Sequence, residues 1–149
     1  MYTETEIKLP IKNLEEANQK VASLNVRPQK ERHFEDNYVL DTSDLSVRNS
    51  GCLLRVRIVS SADRESCMRT QGILTFKGTL QIHDGIRNRE EIECLVDPPE
   101  TFLKVFERLG YSLKFRYQKY RSIFSIEQKQ IHICVDETPI GNYFELEGP

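Results

Sequence analysis

The chain has 149 residues, enough for one domain around one core. It carries 21 Lys and Arg against 23 Asp and Glu, a net charge of −2, which excludes a globally basic nucleic-acid binder and leaves electrostatic function to local segregation of the two signs. At 38% hydrophobic and 30% charged residues it is lean in apolar content, so either charge is housed somewhere beyond an ordinary surface or the core is thin, and no apolar run approaches a membrane span.

The first predicted strand, Tyr2–Leu9, alternates Glu4, Glu6 and Lys8 with Ile7. On a strand these three share one face about 7 Å apart. Two carboxylates aimed at one spot suit a hard cation such as Mg²⁺ or Mn²⁺, and a lysine on the same line suits a phosphate oxygen that the cation bridges. A single charged strand face is ordinarily just solvated, so the pattern gains weight only if other strands repeat it. No basic segment followed by an apolar stretch marks this end as a signal peptide.

A helix is predicted over Leu14–Leu24, with Asn13 and Glu16 as a capping box and Leu14, Ala17, Val21 and Leu24 as its stripe. A strand follows at His33–Leu40, then a helical turn at Ser43–Arg48 ended by Gly51. The strand Cys52–Val59 sets Arg55 and Arg57 against Leu54, Val56 and Ile58, and a long polar link, Ser60–Gly72, follows it. In Ile73–Gly78, Thr75 and Lys77 oppose Leu74 and Phe76. In Ile86–Val96, Arg87, Arg89, Glu91 and Glu93 oppose Ile92, Cys94 and Val96. A second helix, Pro99–Leu109, opens on Pro98 and Pro99, carries Phe102, Val105, Phe106 and Leu109 as its stripe and closes at Gly110. Phe115–Ile126 places Tyr117, Lys119 and Arg121 on one face. After a tight turn near Glu127–Lys129, Gln130–Asp136 separates Ile131, Ile133 and Val135 from His132, Cys134 and Asp136. The last strand, Asn142–Glu147, sets Tyr143, Glu145 and Glu147 against Phe144 and Leu146. Cys52, Cys67, Cys94 and Cys134 show neither Cys-x-x-Cys nor zinc-site spacing. Cys94 and Cys134 read as small core residues, and a reduced, cytoplasmic setting is expected.

The charged positions could form one common face. Glu4, Glu6, Glu91, Glu93, Asp136, Glu145 and Glu147 would meet Lys8, Arg55, Arg57, Lys77, Arg87, Arg89, Lys119 and Arg121. The bases are mostly arginine, the residue suited to bidentate phosphate contact. Two architectures fit: an open sheet with its charged face in water, or a ring with that face inward. Eight strands are more than two short helices can cover, and closure removes free edges. The pattern therefore favours an α+β, mainly β fold. It is an eight-stranded antiparallel barrel, closed or nearly closed, with a charged interior and two or more flanking helices. Its apolar outer face would be covered by the helices and by a second subunit, so a homodimer is one expectation.

Glu4-x-Glu6-x-Lys8, Leu54-Arg55-Val56-Arg57, Thr75-Phe76-Lys77-Gly78, Arg89-Glu90-Glu91-Ile92-Glu93, Lys119-Tyr120-Arg121 and Gly141-Asn142-Tyr143-Phe144-Glu145-Leu146-Glu147 together resemble the CYTH superfamily, or triphosphate tunnel metalloenzymes. That family includes class IV adenylyl cyclases, thiamine triphosphatases and inorganic triphosphatases. The motifs span residues 4 to 147 in the family's order. The resemblance implies a single tunnel domain over residues 1–149 that binds a triphosphate end-on with two divalent ions, Mg²⁺ or Mn²⁺. By the same resemblance, Glu4, Glu6, Asp136, Glu145 and Glu147 are metal ligands, and Glu91 and Glu93 bind metal or orient its waters. Lys8, Arg55, Arg57, Lys77, Arg89, Lys119 and Arg121 form the phosphate cradle. Arg87 has the right parity, and Asp36 and Tyr38 loosely match a second-strand Asp-x-Tyr. Glu4, Glu6 and Lys8 are the catalytic candidates. Family members usually continue into another helix beyond the position of Glu147-Gly148-Pro149, so a form lacking that helix is expected.

Phosphoryl transfer needs positioning and charge neutralisation more than covalent help, and no Ser-His-Asp or Cys-His arrangement is visible. His33, His83 and His132 read as surface or strand residues rather than ligands. The preferred function is metal-dependent hydrolysis of a nucleoside, thiamine or inorganic triphosphate. The runner-up is an adenylyl cyclase that makes cyclic AMP and pyrophosphate from ATP. A third reading is a polyphosphate- or nucleotide-binding module without turnover. The expected partner is thus a small triphosphate, with no nucleic acid and no membrane; sparse aromatic interleaving on the basic face argues against RNA.

Overall fold

Alternation of charged and apolar residues builds nearly the whole molecule from strands. The computed structural model describes residues 3–62, 68–126 and 129–149. The elements in chain order are β1 (Thr3–Ile11), α1 (Leu14–Ser23), β2 (Val26–Asp41), α2 (Ser46–Asn49), β3 (Leu53–Ala62), β4 (Met68–Lys77), β5 (Gln81–His83), β6 (Ile86–Val96), α3 (Pro99–Arg108), β7 (Ser112–Ile126), β8 (His132–Thr138) and β9 (Gly141–Gly148). Eight strands close a ring in the order β1-β9-β8-β7-β2-β3-β4-β6, and β6 pairs back onto β1. Every pairing is antiparallel. Closure gives each ring strand two neighbours and answers the choice between open sheet and barrel.

The apolar core lies outside the ring. Val21 of α1 packs on Ile133 and Val135 of β8, with Ile11, Leu14, Val26, Phe124, Ile126, Phe144 and Leu146 around them. Asn13 caps α1: its Oδ1 accepts from the Glu15 and Glu16 amides at 3.0 and 3.2 Å, and its Nδ2 donates to Glu16 Oε1 at 3.2 Å. The helix α3 starts against β4, where Gly72 is required because a Cβ would lie 2.5 Å from the Val96 carbonyl oxygen and 2.6 Å from Pro99 Cβ. Val105 and Leu109 of its stripe stay exposed, as do Ile92 and Leu95 of β6. No helix among the described residues is long and apolar enough to cross a membrane.

Three expectations change. First, β2 begins at Val26 rather than His33. Its first half contains Pro28, lacks alternation and shifts register against β7 at Pro28/Lys30 and Lys30/His33. Bulges of this kind erase the two-residue period from which a strand is recognised. Second, β3 and β4 run into the polar Ser60–Gly72 link as an extended hairpin, pairing as far as Ala62 with Met68. The centre of that link, with Cys67, lies outside the described residues, as do Tyr2 and most of the Glu127–Lys129 turn. A ninth, three-residue strand, β5, continues the edge of β6 that β4 occupies, with Gln81 opposite Asn88. Third, only one of the two cysteines expected in the core, Cys134, is buried. Cys94 is exposed, on the strand face it shares with the exposed Ile92. Cys134 is buried, but on the charged side of β8, where its thiol donates to Glu147 Oε1 at 3.3 Å.

Candidate active site

Inward-facing residues of the ring line a cavity of about 960 Å³, which opens at one end beside Arg116, Gln118 and the β8–β9 turn. Antiparallel register sets its walls. Glu6 and Lys8 of β1 lie opposite Glu147 and Glu145 of β9, and Glu4 and Glu6 lie opposite Arg89 and Arg87 of β6. Thr75 and Lys77 of β4 lie opposite Glu93 and Glu91. Each sequence-predicted site residue lines the cavity except Asp136, which is fully buried in the wall behind it.

The charges are arranged as interlocked groups. Lys77 Nζ pairs with Glu4 and, at 3.2 Å, with Glu91. Arg121 binds Asp136 through Nε at 2.6 Å, contacts Glu145 through Nη2, and reaches Glu147 at 3.7 Å. Lys119 donates to Asp136 at 2.8 Å. Arg55 donates to the Tyr117 hydroxyl at 3.0 Å and to Thr75 Oγ1 at 3.3 Å, and lies 3.6 Å from Glu93. Arg87 reaches Glu6 at 3.4 Å, and Lys8 reaches Glu145 at 3.8 Å. Among the described residues, the buried Nε donors of Arg55, Arg57 and Arg89 have no hydrogen-bond acceptor. A buried N–H without an acceptor is costly unless something completes it.

Carboxylates also meet each other. Glu91 is pushed up to about 8 by burial and by its hydrogen bond to Glu4. Burial raises Glu4 as well, but the Glu91 hydrogen bond and Lys77 outweigh it and hold Glu4 low. Glu6 is raised by burial and by the neighbouring Glu145 charge. In Glu145, burial is outweighed by Arg121, Lys119 and Lys8, which hold it well below the carboxylate range. In each pair one carboxyl is held low while its neighbour is pushed up. All-oxygen donors in pairs fit a hard divalent cation. No group of three or more His, Cys, Asp or Glu side chains converges into a ready-made metal site among the described residues. Lys77 and Arg121 pair with these carboxylates instead.

Sequence reasoning missed the inner face of β2. Glu35 is fully buried, with its Oε1 3.3 Å from His33 Nε2 and 3.4 Å from Arg57, and its Oε2 3.6 Å from Lys119. Asn37 is equally buried, opposite Arg57 and Tyr117. The spacing of His33, Glu35 and Asn37 was a legible signal, since all three share one parity within a predicted strand. Asp36 and Tyr38 lie on the opposite face, where Asp36 binds Arg116 through Arg116 Nε at 2.9 Å. His132 lines the cavity, and His83 is exposed on β5.

No curated protein matches the chain. Solved structures do. A candidate adenylate cyclase of Vibrio parahaemolyticus aligns over 98% of this chain and 75% of its own, at 19% identity and a TM-score of 0.79. A Pyrococcus horikoshii protein aligns over 98% and 77%, at 21% identity and a TM-score of 0.79. A candidate adenylyl cyclase from Hippeastrum, described as having a dominant triphosphatase activity, aligns over 97% and 78%, at 18% identity and a TM-score of 0.71. At these identities the likeness establishes the fold. The sequence itself matches the CYTH domain over residues 2–148, and with that match and the closed, charged ring the chain belongs to the CYTH family.

Proposed function

We propose that this protein is a divalent-metal-dependent enzyme that binds a triphosphate inside the ring and hydrolyses it. One observation carries the reading: buried arginine N–H donors without acceptors and carboxylate pairs line one cavity. A triphosphate supplies acceptor oxygens for the first, and the cation it carries supplies the charge that the second can hold. Phosphate oxygens would take the free Nε donors of Arg55, Arg57 and Arg89 and draw Lys77 and Lys119 away from their carboxylates. Glu4, Glu6, Glu145 and Glu147, with Glu91 and Glu93, would hold Mg²⁺ or Mn²⁺. When bound, such a cation supplies Lewis-acid neutralisation of the phosphate charge. Glu4, whose carboxyl is held low, would accept a proton leaving an attacking water, and Lys8 would steady the terminal phosphate. The Hippeastrum neighbour's triphosphatase activity supports hydrolysis over cyclisation.

The test is incubation with ATP, tripolyphosphate and thiamine triphosphate in Mg²⁺ or Mn²⁺, measuring phosphate and cyclic AMP. Phosphate release is expected, and Glu4→Gln with Glu6→Gln should lower it roughly 100-fold or more, the scale of losing charge stabilisation at a reacting centre. Cyclic AMP as the main product would make the protein a cyclase. Tight metal-independent binding without turnover would make it a binding module.

A further inference from the structure

The two ends of the cavity differ in chemistry. One ends on His132 and Glu147, which face each other across β8 and β9. The other ends on Leu53, Phe115, Tyr117, Ile140 and Tyr143. Tyr117 joins this second mouth to the cradle, because its hydroxyl accepts from Arg55 at 3.0 Å. Phe115 lies two residues further out on the same strand face, with its ring stacked on Tyr117 at 5.9 Å and 28°. Leu53 stands two residues beyond Arg55 on β3 and pairs in register with Lys77. Ile140 sits in the β8–β9 turn. Phe115 is 60% exposed and Ile140 is 87% exposed, so neither contributes to the packed core.

Large apolar side chains beside a charged cavity have a use if the ligand has a flat apolar end. The cavity volume of about 960 Å³ is near the upper limit of sites that hold drug-sized ligands. A bare triphosphate chain needs only the basic part of it. The stacked Phe115 and Tyr117 rings offer a face to a planar ring, a contact that tolerates different heterocycles. We infer that the mouth formed by Leu53, Phe115, Tyr117 and Ile140 holds the planar ring of an organic triphosphate, so that the substrate class is organic rather than inorganic. The inference rests on the triphosphate reading above and extends it outward from the phosphates.

The experiment measures kcat/KM for ATP, thiamine triphosphate and tripolyphosphate with Mg²⁺, in the native protein and in Phe115→Ala, Phe115→Trp and Ile140→Ala. The native protein should favour an organic triphosphate over tripolyphosphate. Phe115→Ala should lower that organic-to-inorganic ratio about tenfold, chiefly through KM, as expected for a lost stacking platform. Phe115→Trp should restore it, and Ile140→Ala should lower it in the same direction. A loss confined to thiamine triphosphate identifies a cationic ring held by cation–π attraction, and a loss confined to ATP identifies a neutral purine. An organic-to-inorganic ratio that Phe115→Ala leaves unchanged overturns the inference while leaving hydrolysis intact. If no triphosphate is turned over, hydrolysis fails instead, and equilibrium competition between ATP and tripolyphosphate reads the same ratio. An unchanged binding ratio in Phe115→Ala then overturns the inference as well.

Discussion

Glu35 shows what a single buried charge does in this ring. Burial pushes its carboxyl up, but the hydrogen bond from His33 and the charges of Arg57, Lys119 and Arg121 outweigh that and hold it far below its ordinary value of 4.5. It thereby fixes one phosphate-cradle arginine and one lysine without lining the cavity itself. Replacing it with Gln removes a buried counter-charge from half-buried Arg57 and buried Lys119, which costs about 3 kcal/mol. The sign of the pH effect follows from the depressed value. The contribution is fully present above about pH 4.5, the unfolded carboxyl range, and is lost as pH falls below it toward the folded value. Thermal melts of native protein and Glu35→Gln should therefore differ most near neutral pH and converge in acid. A gap that stays constant down to pH 3 would count against this role. Its place on one face with His33 and Asn37 was legible in the sequence, but its burial was not, because an acid beside Asp36 looks like any surface charge; its neighbours on β3 and β7 make it a buried anchor.

At the scale of elements, two acceptor side chains start helices in different settings. Asn13 caps α1 at an exposed position, and Asn13→Ala should lower stability by about 1 kcal/mol. Asp41 ends β2 and is buried, and its carboxylate accepts from the Thr42, Val47 and Arg48 amides at 2.8, 3.0 and 2.9 Å. Burial alone would raise Asp41, but these backbone donors hold it low. Asp41→Ala leaves three backbone amides without their acceptor at once and should cost about 2 kcal/mol. Urea unfolding of the two variants compares them directly, and equal losses would refute the distinction. The α1 start was legible because a capping box is local in sequence. The Asp41 anchor was not, because it reaches to residues six and seven positions on, beyond any local spacing rule.

At the scale of the molecule, ring closure is the decisive event. It depends on β1, which pairs with β6 over Thr3–Glu6 and with β9 over Thr5–Ile11. Thr5 has a neighbour on both sides, Asn88 and Gly148. Pro10 is tolerated in the same strand because only β9 flanks it there. Thr5→Pro should consequently destabilise the protein by about 3 kcal/mol or more. It should also weaken triphosphate binding beyond the effect of stability, since Glu4 and Glu6 lose the frame that aims them. Isothermal binding of tripolyphosphate at a temperature where the variant is still folded checks this, and native affinity in a folded Thr5→Pro protein would show that closure does not position the site.

The sequence by itself determined which side chains share a face, because a two-residue period is written into each strand and survives without knowledge of its neighbours. Glu4, Glu6, Lys8, Arg55, Arg57, Lys77 and the charges of the later strands were all legible in that way. Their convergence could only be expected, since an open sheet would carry the same alternation. The tertiary structure decided that the charged face turns inward, which carboxylates meet each other, and where the arginines keep free donors. It also decided that Glu35 belongs with them and that an aromatic mouth caps one end. Those are outcomes of register and closure between strands far apart in the chain, and no local pattern encodes a distance between residue 4 and residue 91.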